Sequence, residues 1–169
     1  MKIDLKKLAG NYGGSIPFEG VADLRREMLY GEYPFQQTVA YSGEVRNHLG
    51  ILRLTGTIQT TYFTCCARCL EPLEIPLRAE TDTLLTHDAF AADSEDEVYL
   101  LSGDEVEVEE ILVPALILQV EMTYLCRPDC KGLCPVCGID RNKSSCSCSE
   151  RKIDPRLAVL GSLLHKEGE

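Results

Sequence analysis

The chain has 169 residues, with 17 basic against 27 acidic side chains and a formal net charge of −10 at pH 7. It has no Trp and only four Phe, so any core is mainly aliphatic, and the length allows one domain with a small satellite. The mean charge excludes general nucleic-acid binding, which needs clustered Lys and Arg.

In chain order, MKIDLKKLAG carries charges at positions 2, 4, 6 and 7 and lacks the apolar stretch of a secretory leader. KIDLKKL and IPFEGV read as strands and ADLRREMLY as a short helix. TVAYSGEVR (38–46) is a strand, with Asn47-His48 predicted as the turn into LGILRLTGTIQTTYFTC (49–65). There Leu52, Leu54, Gly56 and Ile58 alternate with Ile51, Arg53, Thr55 and Thr57, which predicts one long strand or two with a bend at Gly56. LEPLEIPLRAETDTLLT (70–86) alternates again, and Pro72 and Pro76 place its first half at a sheet edge. HDAFAADSEDE (87–97) reads as an exposed acidic loop, followed by short strands at VYLL and VEVE.

EEILVPALILQVEMTYL (109–125) changes period. Ile111, Leu112, Ala115, Leu118 and Met122 fall at helical spacing, with acidic residues at the N-terminal end, where the helix dipole favours them. The longest apolar run, ILVPALILQV, stops at ten residues, well short of the roughly 18 of a membrane span. IDPRLAVLGSLL near the C-terminus predicts a last helix starting at Asp154-Pro155. The expected fold is α+β: a twisted, mainly antiparallel sheet or small open barrel with a packing helix and a C-terminal Cys-rich zinc module. The expected division is a sheet-plus-helix core at 1–125, a metal-binding module at 126–152 and a helical tail at 153–169. The expected location is the cytoplasm, where thiols stay reduced.

The nine cysteines carry the chemistry. Cys66-Ala-Arg-Cys69, Cys134-Pro-Val-Cys137 and Cys146-Ser-Cys148 are short chelating pairs, and Cys126 and Cys130 form a fourth with a three-residue spacer. Four pairs supply eight sulfurs, enough for two closed all-thiolate sites, with Cys65 left over. Cys134, Cys137, Cys146 and Cys148 are close enough in sequence to hold one ion. Gly138, after the second sulfur of its knuckle, suits a position that needs positive φ. Cys66 and Cys69 then remain for Cys126 and Cys130, although other combinations of the pairs stay open. Zinc is the expected ion, as a structural cofactor, and an iron–sulfur cluster is the alternative. A thioredoxin-like role for CCARC fails for want of a strand–helix context, and Cys-rich turns of Arg, Asp, Lys, Gly, Pro and Ser do not build a buried core.

Charge divides along the chain. Between Glu71 and Glu121 there are fifteen acidic residues and one basic residue, Arg78. Between Cys126 and Lys152 six basic residues (Arg127, Lys131, Arg141, Lys143, Arg151 and Lys152) face three acidic ones. These six are the candidate contacts to nucleic-acid phosphates.

The order C-x-R-C-L-E-P after a strand, an acidic loop, a helix, LC-x3-C-K-G-L-C-P-x-C-G, a C-x-C pair and a final DPRLAVL resembles the YceD family of bacterial and plastid proteins. The resemblance runs from about Gly43 to Leu164. Some members of that family bind metal and are linked to the accumulation of large-subunit ribosomal RNA. Position by position, Cys66, Arg68 and Cys69 match its first knuckle, the six later cysteines its second cluster, and Asp154-Pro155-Arg156 its terminal signature, while Cys65 has no counterpart. The resemblance implies a non-enzymatic factor in ribosome biogenesis whose partner is ribosomal RNA or a basic large-subunit ribosomal protein. An acidic protein-interaction module is the alternative. A nuclease or thiol redox protein ranks below both, because no phosphate-binding loop, H-E-x-x-H motif or paired-carboxylate pattern is present.

Overall fold

The computed structural model describes residues 1–88 and 97–148. Its elements are β1 (Lys2–Asp4), a single 3₁₀ turn (Leu5–Lys7), β2 (Ser15–Ala22), β3 (Val39–His48), β4 (Ile51–Cys65), β5 (Pro72–Thr86), β6 (Glu97–Leu100), β7 (Glu105–Glu107) and the helix α1 (Val108–Ile117). Five strands form one open sheet in the order β2-β3-β4-β5-β6, antiparallel except for the parallel β5–β6 pair, and β1 pairs with β7 in a small second sheet. Neither sheet closes, so of the two expected architectures the structure has the open antiparallel sheet and not the barrel.

Period-two alternation makes the sheet one-sided. Val39, Tyr41 and Val45 of β3, Leu54 and Ile58 of β4, and Leu77, Ala79 and Leu85 of β5 are buried, with polar or charged neighbours facing out. Val108, Ile111, Leu112 and Leu116 of α1 join this core. β4 runs unbroken, with Gly56 paired to Gly43 of β3. A Cβ on Gly43 would lie 2.2 Å from the Thr55 carbonyl oxygen and 2.6 Å from Phe18 Cζ, and one on Gly56 would lie 3.0 Å from Leu112 Cδ2. The glycine pair is therefore the floor on which the Phe18 ring and the helix sit. Pro72 and Pro76 lie where β4 is the only sheet neighbour of β5 among the described strands, since β6 pairs only from Thr83 onward.

Three local expectations are corrected. The β3–β4 turn is not Asn47-His48 but Leu49-Gly50, both at positive φ, with His48 paired to Ile51. Asn47 is needed elsewhere: it is 3% exposed, and its amide donates to the Leu8 carbonyl at 2.7 Å and accepts from Gly50 N–H at 2.8 Å. ADLRREMLY forms no helix. β2 runs on to Ala22, and Asp23 takes the Arg25 backbone N–H and its guanidinium. Glu27 N–H closes a turn on the Leu24 carbonyl, and Leu29 then pairs with Glu32, so the stretch is spent on successive turns.

The helix ends at Ile117, well before residue 125, and Leu118 and Met122 are 80% and 87% exposed. Beyond it the Tyr124 hydroxyl accepts the Glu121 N–H at 2.9 Å, while its ring packs 5.5 Å from that of Tyr62. Those contacts require a turn where the periodicity continued. No helix among the described residues is long and apolar enough to cross a membrane.

The chain divides into two compact units. One holds Met1–Cys65 and Pro72–Tyr124; the other holds Cys66–Glu71 with the described residues from Leu125 onward. The sequence pattern kept residues 66–71 with the sheet, whereas in the structure this knuckle belongs with the Cys-rich segment that supplies its neighbours. The tail and its expected helix lie outside the described residues.

Candidate metal centres

All nine cysteines lie among the described residues, and none is in a disulfide. Eight of them gather as two quartets: Cys66, Cys69, Cys126 and Cys130 in one, and Cys134, Cys137, Cys146 and Cys148 in the other. Within each quartet the four sulfurs lie within 4.8 Å of one another. In the first, Sγ of Cys66 is 3.8 Å from that of Cys130, and Sγ of Cys69 is 3.6 Å from that of Cys126. Four thiolates bonded tetrahedrally at about 2.3 Å would stand roughly 3.8 Å apart. The donor set and its spacing therefore fit a metal ion, and each quartet could hold one.

The two C-x-x-C knuckles are built alike. In the first, Leu70 N–H donates to the Cys66 carbonyl at 2.9 Å and Cys66 N–H to the Glu71 carbonyl at 2.8 Å. In the second, Gly138 N–H donates to the Cys134 carbonyl at 2.9 Å and Cys134 N–H to the Ile139 carbonyl at 2.8 Å. Both turns need a left-handed residue after the second sulfur, at φ 74° for Gly138 and 62° for Leu70. A Cβ on Gly138 would touch nothing within 4 Å, so Gly138→Ala isolates the conformational cost. It is expected to destabilise the knuckle by about 1 kcal/mol, whereas Leu70→Gly should stabilise its knuckle by a similar amount. Metal-loaded thermal melts of the two variants check both signs. A loss on Leu70→Gly would mean that the leucine side chain outweighs its strained backbone.

The electrostatics also suit a cation. Hydrogen bonding from the Cys126 backbone, then from those of Cys69 and Arg68, brings the Cys66 thiol down to about 6 against the opposing effect of burial. Cys134 falls to about 6 for the same kind of reason, led by the backbone of Cys137 and then Val136. Burial first, then the neighbouring sulfurs, push Cys126 up to about 12, while Cys148 reaches about 12 chiefly through its contact with Cys137. Each quartet thus favours one thiolate and resists having all four, and a divalent ion relieves that repulsion.

Outside the sulfurs, the Arg68 guanidinium donates to the Cys130 carbonyl at 2.9 Å and to the Pro128 carbonyl at 3.4 Å, tying the two arms of the first quartet together. Asn142, which no motif singled out, donates to the Cys130 sulfur at 3.3 Å. The only trace of it in the sequence is the Asp140-x-Asn142 pair, a turn-forming pattern.

Of the six basic candidates, Lys131, Arg141 and Lys143 line one groove of about 600 Å³ with Ser144, Ser145 and Cys146. Lys143 also meets Asp140 at 3.6 Å, and Arg127 meets Asp129 at 3.6 Å. Arg151 and Lys152 lie outside the described residues, as does most of the acidic loop. Glu97, at that loop's end, accepts a hydrogen bond from Thr81 at 3.0 Å.

Residues 54–164 match the family model described as large ribosomal RNA subunit accumulation protein YceD. An uncharacterized protein of Mycobacterium tuberculosis is 33% identical over 123 residues, which cover 71% of this chain and 58% of that relative. A chloroplastic protein of Zea mays, named large ribosomal RNA subunit accumulation protein YCED homolog 1, is 27% identical over 154 residues, 73% of this chain and 53% of that relative. The uncharacterized protein YlbN of Bacillus subtilis is 26% identical over 114 residues, 67% of this chain and 66% of that relative. The chain thus spans between half and two thirds of the length of these relatives. The comparison with solved structures found no match.

Proposed function

The chain belongs to the YceD family, and from that premise we propose that it is a non-enzymatic factor in the accumulation and assembly of large-subunit ribosomal RNA. Zinc holds its Cys-rich unit in a rigid shape. The observation that carries the proposal is that the matched stretch, residues 54–164, contains all eight clustered cysteines. Four thiolates close a tetrahedral shell and leave no position for a substrate, so the ion is structural: it fixes the knuckles and supplies folding energy. The proposed site of action is the cytoplasm, where those thiols stay reduced.

Lys131 and Arg141 are the proposed contacts to RNA phosphates, since they share a groove and no described acidic side chain forms an ion pair with them. Replacing both by Glu is expected to lower the salt slope of ribosomal RNA binding by about two, one per phosphate contact, with metal content unchanged. Filter-binding titrations at several salt concentrations measure this. An unchanged slope would remove these residues from the interface.

The acidic stretch from Glu71 to Glu121 supports a second reading, in which a basic ribosomal protein is the partner. Recovery of such a protein with the chain after nuclease treatment would favour it over direct RNA contact.

A further inference from the structure

Cys130 is the last sulfur of one quartet and Cys134 the first of the other, so only Lys131, Gly132 and Leu133 separate the two centres. This short strut is held on both sides. On one side, Leu133 N–H donates to the Arg68 carbonyl at 2.9 Å, and a Cβ on Gly132 would lie 2.9 Å from that same oxygen. On the other side is the loop that runs from Cys137 to Cys146 and closes the second quartet. Its Arg141 N–H donates to the Gly132 carbonyl at 3.0 Å. Its Asn142 Oδ1 accepts the Lys131 N–H at 2.8 Å, while Asn142 Nδ2 donates to Asp140 Oδ1 at 2.8 Å and to Cys130 Sγ at 3.3 Å. Asp140 Oδ1 also accepts the Asn142 backbone N–H at 2.9 Å, which fixes the side chain to its own loop. Both N–H groups of the Asn142 amide are thus used, and one of them goes to a sulfur of the other centre.

We propose that Asn142 is a positioning residue that couples the two centres. Metal at Cys134, Cys137, Cys146 and Cys148 orders the loop, and the ordered Asn142 amide stabilises the Cys130 thiolate, so filling either centre raises the affinity of the other. The coupling is reciprocal by linkage. It rests on reading both quartets as zinc centres. A hydrogen bond to a ligand atom from outside the coordination shell commonly changes metal affinity by roughly 10- to 100-fold.

Cadmium-113 in the full chain should give one NMR resonance per centre, assigned with Cys66→Ser. Asn142→Ala is expected to shift the first-centre resonance alone, and to weaken each centre by the same factor, roughly 10- to 100-fold, in chelator competition while the other is filled. Cys148→Ser, which leaves the first quartet whole, should weaken the first centre by a similar factor. The double variant should weaken it no further, because the coupling is already gone. A loss at the first centre with none at the second on Asn142→Ala, or additive losses in the double variant, would overturn the coupling alone. Absence of any cadmium resonance from the unsubstituted chain would overturn it together with the zinc reading.

Discussion

Stripping the metal from the full chain with a chelator is expected to abolish the ordered structure of residues 66–71 and 125–148 while the sheet unit stays folded. The reason lies in what that unit buries. Among its described residues the buried side chains are Cys66, Cys69, Cys130 and Cys134, and the remaining buried residue is Gly132, which has no side chain. Leu70 and Val136 are 63% and 62% exposed. A unit whose interior is sulfur has almost no apolar transfer energy to set against the entropy of ordering its chain. Structural zinc in comparable small modules binds with about 10–16 kcal/mol, so on the proposed zinc reading loss of the ion outweighs every other term there. The sheet unit, with Val39, Val45, Leu54, Ile58 and Leu112 all fully buried, has a core of its own. In ¹⁵N-correlated spectra the amides of 66–71 and 125–148 should collapse to unfolded positions, with elemental analysis confirming metal loss. Retained dispersion in a metal-free chain would refute the assignment of zinc as the folding element.

Gly43→Ala is expected to destabilise the sheet unit by about 3 kcal/mol, the upper end of the usual range for overpacking a core. The added methyl would meet Thr55 backbone oxygen at 2.2 Å and Gly56 Cα at 2.7 Å, and backbone atoms within a paired strand cannot swing aside. Its third neighbour, Phe18 Cζ at 2.6 Å, belongs to a buried ring that packs 6.4 Å from Tyr41. Gly56→Ala makes a useful contrast. Its nearest neighbour is the end of the Leu112 side chain at 3.0 Å, which can yield a few tenths of an ångström, so a loss of about 1 kcal/mol is expected. Urea unfolding followed through the sheet signal would give both values. If Gly43→Ala unfolds within about 0.5 kcal/mol of the parent chain, the close packing of the glycine pair is not what limits this core.

What the sequence by itself determined are the features that depend on near neighbours. Alternation in 38–46, 49–65 and 70–86 was legible because a strand's two faces repeat every second residue, and a single buried face imposes that pattern directly. The eight candidate ligands were legible because a thiol pair two to four residues apart is already a chelator, and Gly138 because a knuckle needs a left-handed residue there.

Other features depend on residues far away in the chain, and only the tertiary structure decided them. Cys66 and Cys130 are 64 residues apart, and in the sequence their quartet was no more than the remainder after the other four sulfurs were assigned. The turn moved to Leu49-Gly50 because the Leu8 carbonyl claims Asn47, and the helix stopped at Ile117 because Tyr124 turns back to Tyr62. Gly43 and Gly56 acquire their meaning only when strand pairing sets them face to face beneath Phe18. For Asn142 the local Asp140-x-Asn142 pattern announces only a turn, because the atom it serves, the sulfur of Cys130, belongs to another turn of the chain. Local periodicity encodes which faces are apolar and which residues can chelate. Which of them meet is set by long-range packing, where a single buried hydrogen bond or ring contact overrides local preference.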